Sequence, residues 1–178
     1  LNYNEQKVRN GVAGCILAEN YLADAKDLNF YEKLWLLENR NTLNDRALTK
    51  TIHISLNFDP SEKLNDDTLS GIAREYMDKI GFGLQPFLVY KHNDAGHPHL
   101  HIVSTTIRED GKRIDTHNIG RNQSEKARKM IEVQFNLVKA QKKLQIKYSS
   151  LAPAACSKLM YGQVETRKGI SGVVSTVL

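Results

Sequence analysis

The chain has 178 residues, of which 40% are hydrophobic and 25% charged, enough for one domain with a proper core or for a domain with a tail. No apolar run approaches the roughly 18–20 residues that cross a bilayer, which argues against a membrane-spanning protein. Two cysteines, Cys15 and Cys156, are too few for a disulfide framework or a cysteine zinc site and suit a reducing cytosol. The net charge is +5, and the excess is local: eleven Lys/Arg stand against five Asp/Glu between Arg108 and Tyr148. Such a distribution favours a polyanionic partner, although a solvated helix face has the same composition. No signal peptide is visible from Leu1 onward, and both ends are expected to be cuts inside a larger protein.

Phe30, Leu34 and Leu37 share one face over residues 29–39, which predicts a helix, followed by a polar, Asn-rich turn through Asn44. Thr51 to Phe58 alternates, with Ile52, Ile54, Leu56 and Phe58 on one side, as a half-buried strand does. Asp59-Pro60 ends it. Asn65 or Asp66 can cap a helix carrying Leu69, Ile72, Ala73, Tyr76 and Ile80, which closes at Gly81. Phe87 to His92 reads as a second strand and His97 to Ile107 as a third, joined by Asn93-Asp94-Ala95-Gly96, which has hairpin chemistry. Arg121 to Leu144 predicts a long basic amphipathic helix with Ala127, Ile131, Phe135, Val138 and Leu144 inward. Pro153 then breaks the chain, and a short helix is expected from about Glu165. Strands arriving as hairpins with helices between them imply an antiparallel α+β sandwich.

Four of the six histidines lie between His92 and His101. Alternation along a strand sends His97, His99 and His101 to one face while Leu100 and Ile102 anchor the other. If residues 93–96 form a hairpin, His92 meets them across the ladder. A lone strand histidine is ordinarily a satisfied surface or core residue, but clustered imidazoles gain nothing unless something binds them. His92, His99 and His101 therefore make a site for a divalent metal, and three ligands without a fourth point to an open, working ion more than to structural zinc. Asp94 can accept the second ring N–H of one ligand and fix its tautomer. His97 either replaces a ligand or touches a substrate at the strand entrance. His53 and His117 have no comparable grouping and read as ordinary residues.

At these residues the chain resembles the relaxases, mobilisation nucleases within the wider HUH endonucleases. The shared strand motif, His, a bulky hydrophobic residue, His, is here His99-Leu100-His101, and an upstream His-x-Asp is His92-Asn93-Asp94. Leu1 to Val8, Thr51 to Phe58 and Tyr161 to Thr166 are similar to mobilisation proteins of Bacteroides-type elements. Two positions depart from the pattern. Ser104 stands where many relaxases have Asn, and His97 occupies another usual Asn position.

The resemblance implies one relaxase nuclease domain over residues 1–178, built on a palm-like antiparallel sheet of about five strands with helices on its faces. It implies origin-specific nicking and rejoining of single-stranded DNA through a 5′-phosphotyrosine, with Mg²⁺ or Mn²⁺ at the histidines. Tyr3 matches the nucleophile that follows the first strand in relaxases; Tyr21 and Tyr31 are fallbacks for which packing is the simpler role. In the replication-initiator branch the tyrosine follows the histidines as Tyr-x-x-x-Lys, but Ala152 follows Tyr148 at that spacing and Glu165 follows Tyr161. That disfavours a rolling-circle or transposition nuclease; a non-catalytic metal-dependent DNA-binding module is the other alternative. Expected partners are transfer-origin DNA, accessory mobilisation proteins and a type IV secretion coupling protein, in the bacterial cytoplasm. Lys112, Arg113 and Arg121, with His97, are the leading candidates for DNA contacts, and Lys126, Arg128 and Lys129 have weaker grounds.

Overall fold

A computed structural model describes residues 1–140. The expected features at Tyr148, Pro153, Cys156, Tyr161 and Glu165, and the Leu144 end of the long helix, lie outside the described residues. The elements run α1 (Asn2–Arg9), β1 (Ala13–Glu19), α2 (Phe30–Thr42), β2 (Thr51–Asn57), α3 (Asp66–Lys79), β3 (Phe87–His92), β4 (His99–Thr105) and α4 (Glu125–Gln134), with a π-helical turn at Gly120–Ser124. The architecture is α+β, as expected.

The described residues form one antiparallel sheet of four strands, not about five, in the order β1-β3-β4-β2. The β3–β4 pair, which carries the histidine motif, is therefore central, and both of its strands are bonded on either side. Such strands hold side chains more rigidly than a loop can. Local signals explain most boundaries. Asn29 caps α2 by accepting from the backbone of Tyr31 and Glu32, and Glu32 reaches back to the Asn29 N–H at 2.7 Å, completing a capping box. Asn65 caps α3 by accepting from Thr68 N–H at 2.8 Å. Gly81, at φ 84°, follows in the left-handed conformation that glycine adopts without penalty.

Side-chain alternation divides the sheet into two unequal faces. Phe87, Val89, Leu100 and Ile102, each at most 1% exposed, meet Leu69, Ile72, Ala73 and Met77 of α3 and Ala127 and Ile131 of α4. Burial of this larger core is the main stabilising term of the fold. On the opposite face Leu88, Tyr90 and Val103 pack with Leu37 of α2, and Leu1 and Val8 lie at the margin. Along β2 that second face stays open: Thr51, His53, Ser55 and Asn57 are exposed while Ile52, Ile54 and Leu56 are half-buried.

Three expectations change. The third strand is shorter, His99–Thr105. The basic helix starts at Glu125 and stops at Gln134, because Asn136 turns left-handed at φ 51°. There Leu137 N–H bonds the Glu132 carbonyl at 2.8 Å and Asn136 N–H bonds Val133 at 3.3 Å, a Schellman ending. Arg121 accordingly lies in the π-helical turn, and Leu137 rather than exposed Val138 reaches the core.

Candidate metal centre and nucleophile

The β3–β4 ladder sets His92 opposite His99 and Tyr90 opposite His101. Alternation puts His99 and His101 on one face, with Leu100 and Ile102 buried on the other. The nitrogens of His92, His99 and His101 come within 4.8 Å of one another. The rings of His92 and His101 are 4.3 Å apart, and each lies about 5 Å from His99, at 5.3 and 5.4 Å.

Each ring has one nitrogen engaged by the protein. His92 Nε2 is 3.0 Å from Asn4 Oδ1, His99 Nδ1 is 3.3 Å from the His97 carbonyl, and His101 Nδ1 is 2.7 Å from His53 Nε2. The opposite nitrogens remain. Nδ1 of His92 is fully buried and has no hydrogen-bond partner among the described residues. Burial lowers the pKa of His92, and burial together with the neighbouring imidazoles brings His101 down to about 4. Both rings are therefore neutral at pH 7, with lone pairs available to a ligand. An orphaned imidazole nitrogen facing two further imidazoles suits a divalent cation, for an unpaired buried nitrogen is otherwise costly.

Asp94 stands beside this cluster in an unexpected relation to it. Its Oδ1 is 3.5 Å from His99 Nε2 and 3.7 Å from His92 Nδ1, facing nitrogens the protein leaves open instead of those already engaged. Its Oδ2 pairs with Lys7 at 2.8 Å, and that ammonium holds the carboxyl below the usual carboxylate range. The groups that meet the occupied ring nitrogens are Asn4 Oδ1, the His97 carbonyl oxygen and His53 Nε2. His97 itself is half-buried and touches Asn57 Oδ1 at 3.3 Å.

Tyr3 occupies the first turn of α1. Its ring centroid is 6.0 Å from His92, nearly parallel at 16°, and 6.0 Å from His101, and the side chain is 53% exposed. Lys7 Nζ is 5.6 Å from the same ring. The helix is fixed from below: buried Glu5 accepts from Lys33 Nζ at 2.9 Å and from Tyr90 OH at 2.5 Å.

The cationic residues expected at DNA lie elsewhere. Lys112 and Arg113 follow the Thr105 end of β4, so the strand alone separates them from His99 by roughly 20 Å at about 3.3 Å per residue. Arg113 bonds the Thr49 carbonyl and Thr116, and Lys112 pairs with Asp110. Arg121 belongs to the α3–α4 layer on the other face. Asn4, Lys7 and His53 are the residues at the site that sequence reasoning passed over. Only His53 left a trace, since the period-two pattern of Ile52 and Ile54 places it on the opposite face of β2.

No helix among the described residues is long and apolar enough to cross a membrane. Comparison with curated proteins and with solved structures gives no match. A family profile described as relaxase, MobA/VirD2-like, nuclease domain matches residues 3–137, a span that includes Tyr3, all four strands and the three histidines. By that match the chain belongs to the relaxase family, as a MobA/VirD2-like nuclease domain.

Proposed function

We propose that this relaxase domain nicks and rejoins one strand of DNA at an origin of transfer, with Tyr3 as nucleophile and His92, His99 and His101 as metal ligands. The observation that carries the reading is the placement of a solvent-open phenol against two rings of the histidine cluster, at 6.0 Å from each. The Tyr3 oxygen attacks the scissile phosphorus and the bond from phosphorus to O3′ breaks. The phenol proton is lost, O3′ gains one to become a free 3′-OH, and the phosphate stays on Tyr3 as a 5′-phosphotyrosine. Attack by a 3′-OH reverses these steps, and the phosphotyrosine conserves the bond energy, so rejoining needs no nucleotide. Bound at the histidines, Mg²⁺ or Mn²⁺ supplies charge neutralisation at the phosphate oxygens. Asn4 and the His97 carbonyl keep two of the rings turned, Lys7 keeps Asp94 charged beside them, and the open face of β2 gives a strand access. In the cell the substrate is single-stranded origin DNA of a mobilisable element. Accessory mobilisation proteins and a secretion coupling protein act with the domain in the bacterial cytoplasm.

The test uses labelled single-stranded oligonucleotides tiling both strands of the DNA that flanks the coding gene, with Mn²⁺ present. A denaturant-resistant adduct, mapped by mass spectrometry to Tyr3 and absent from Tyr3→Phe, is expected. Adducts of undiminished yield with Tyr3→Phe would remove Tyr3 from the role. A wild-type chain that binds metal and DNA yet never forms an adduct would make it a binding module.

A further inference from the structure

His53 stands on the edge strand β2, where it faces Val103 while Ser55 faces His101. It therefore reaches His101 diagonally, bringing His53 Nε2 to 2.7 Å from His101 Nδ1 with the ring centroids 4.7 Å apart. At that separation one nitrogen carries a hydrogen and the other does not. If His101 presents Nε2 to the cluster, its hydrogen sits on Nδ1, so His101 donates and His53 accepts. His53 must then carry its own hydrogen on Nδ1.

From this geometry we infer that His53 is a positioning residue: it holds His101 in the Nδ1–H tautomer and aims the Nε2 lone pair at the point shared with His92 and His99. The inference rests on the reading of those three histidines as metal ligands. His53 is not itself one of the set, because among the described residues the group whose nitrogens all lie within 4.8 Å of one another is His92, His99 and His101. The arrangement is one of three. Asn4 from α1 accepts from His92, the His97 carbonyl accepts from His99, and β2 supplies the acceptor for His101. A neutral imidazole acceptor fixes the ring without adding charge to the cation's surroundings, unlike the carboxylates that commonly fill this place. His53 also lines a cleft of about 320 Å³ with Tyr3, Asn4, Asn41 and Thr51, so its partner stays aligned on the side where a substrate strand would enter.

His53 is exposed, so its replacement spares the core. Mn²⁺ affinity of the full chain, read by electron paramagnetic resonance, is measured for wild type, His53→Leu and His53→Gln. Nitrogen-15 spectra of the metal-free proteins report the His101 tautomer. His53→Leu is expected to weaken Mn²⁺ binding by about 10-fold or more, on the scale of lost outer acceptors, and to release His101 into mixed tautomers. His53→Gln, whose Oε1 can accept in the same place, is expected to restore both. Wild-type affinity in His53→Leu, or an Nε2–H tautomer of His101 in the wild type, would overturn the inference. Spectra showing four coordinated imidazoles would overturn it too, by making His53 a ligand. A wild-type chain that binds no Mn²⁺ but shows the Nδ1–H tautomer, lost in His53→Leu, would defeat the metal reading and leave the hydrogen bond standing.

Discussion

The side-chain oxygen of Asn4 lies 3.0 Å from Nε2 of His92, joining the residue next to Tyr3 directly to a ring of the histidine cluster. Asn4 is 1% exposed although it sits on the short helix α1. Its acceptance of the Nε2 hydrogen turns Nδ1 of His92 toward the other rings. Asn4→Ala strands that N–H in a buried place, which costs about 1–3 kcal/mol. Urea unfolding should show a lower midpoint at an unchanged slope, while Asn4→Asp, which keeps an acceptor, should lose less. A wild-type midpoint in Asn4→Ala would mean that the bond contributes nothing.

Glu5 is the second anchor of α1, and its removal is expected to be costlier. Its carboxylate meets Lys33 and Tyr90, and all three groups are buried. Glu5→Ala leaves the Lys33 ammonium uncompensated, at about 3–5 kcal/mol. Replacing Glu5 and Lys33 together with methionine should recover part of that loss, since a buried pair contributes little beyond an apolar one of similar volume, while the Tyr90 hydroxyl still loses its acceptor. Equal losses in Glu5→Ala and the double variant, measured by denaturation, would refute the ion-pair account.

The same anchoring explains which parts of the fold could be read from sequence. β2, α2 and α3 each carry their own signal: alternation in Thr51–Phe58, a capping Asn at 29 and 65, and a glycine stop at 81. β1 has none. Ala13-Gly14-Cys15-Ile16-Leu17-Ala18 lacks alternation, and the register shifts between Cys15 and Leu17. α1 has few apolar residues and depends on Glu5 reaching partners 28 and 85 positions away. The basic amphipathic pattern runs past the end of α4 because apolar residues continue beyond it, and the stop signal is Asn136, at φ 51°. At the site, the His99-Leu100-His101 alternation is enough to place those two imidazoles on one face, and the β3–β4 pairing adds His92. The contact between His53 and His101 depends on β2–β4 register, which no local pattern encodes.

Charge at two ends of the sheet should act differently on DNA. Lys112 is well exposed and remote from the histidines, whereas Lys7 lies beside Asp94 and Tyr3. Lys112→Ala should weaken single-stranded DNA binding evenly across sequences and reduce the salt slope by about 0.7, with nicking at saturating DNA unchanged. Lys7→Ala should lower the nicking rate at saturation as well. If Lys112→Ala slows saturated nicking as much as Lys7→Ala, DNA near that turn must be coupled to the chemistry.

Metal removal should leave the fold standing. His92 and His99 are held by ladder bonds on both sides of their strands, and the larger core packs on the sheet's other face. A chelated chain is therefore expected to keep its far-ultraviolet dichroism and a cooperative unfolding transition, unlike a domain whose metal replaces a core. Binding to the native state alone adds stability by mass action, about 2.7 kcal/mol when Mn²⁺ is at about 100 times its Kd. The melting temperature should accordingly rise with Mn²⁺ in the wild type and stay flat in His99→Ala/His101→Ala. That variant must be compared with its own chelated form, because losing two imidazoles also relieves crowding around the orphaned His92 nitrogen and can shift the baseline. An equal Mn²⁺-dependent rise in the double variant would place the ion away from His92, His99 and His101, and the role proposed for that cluster at the phosphate would fall with it.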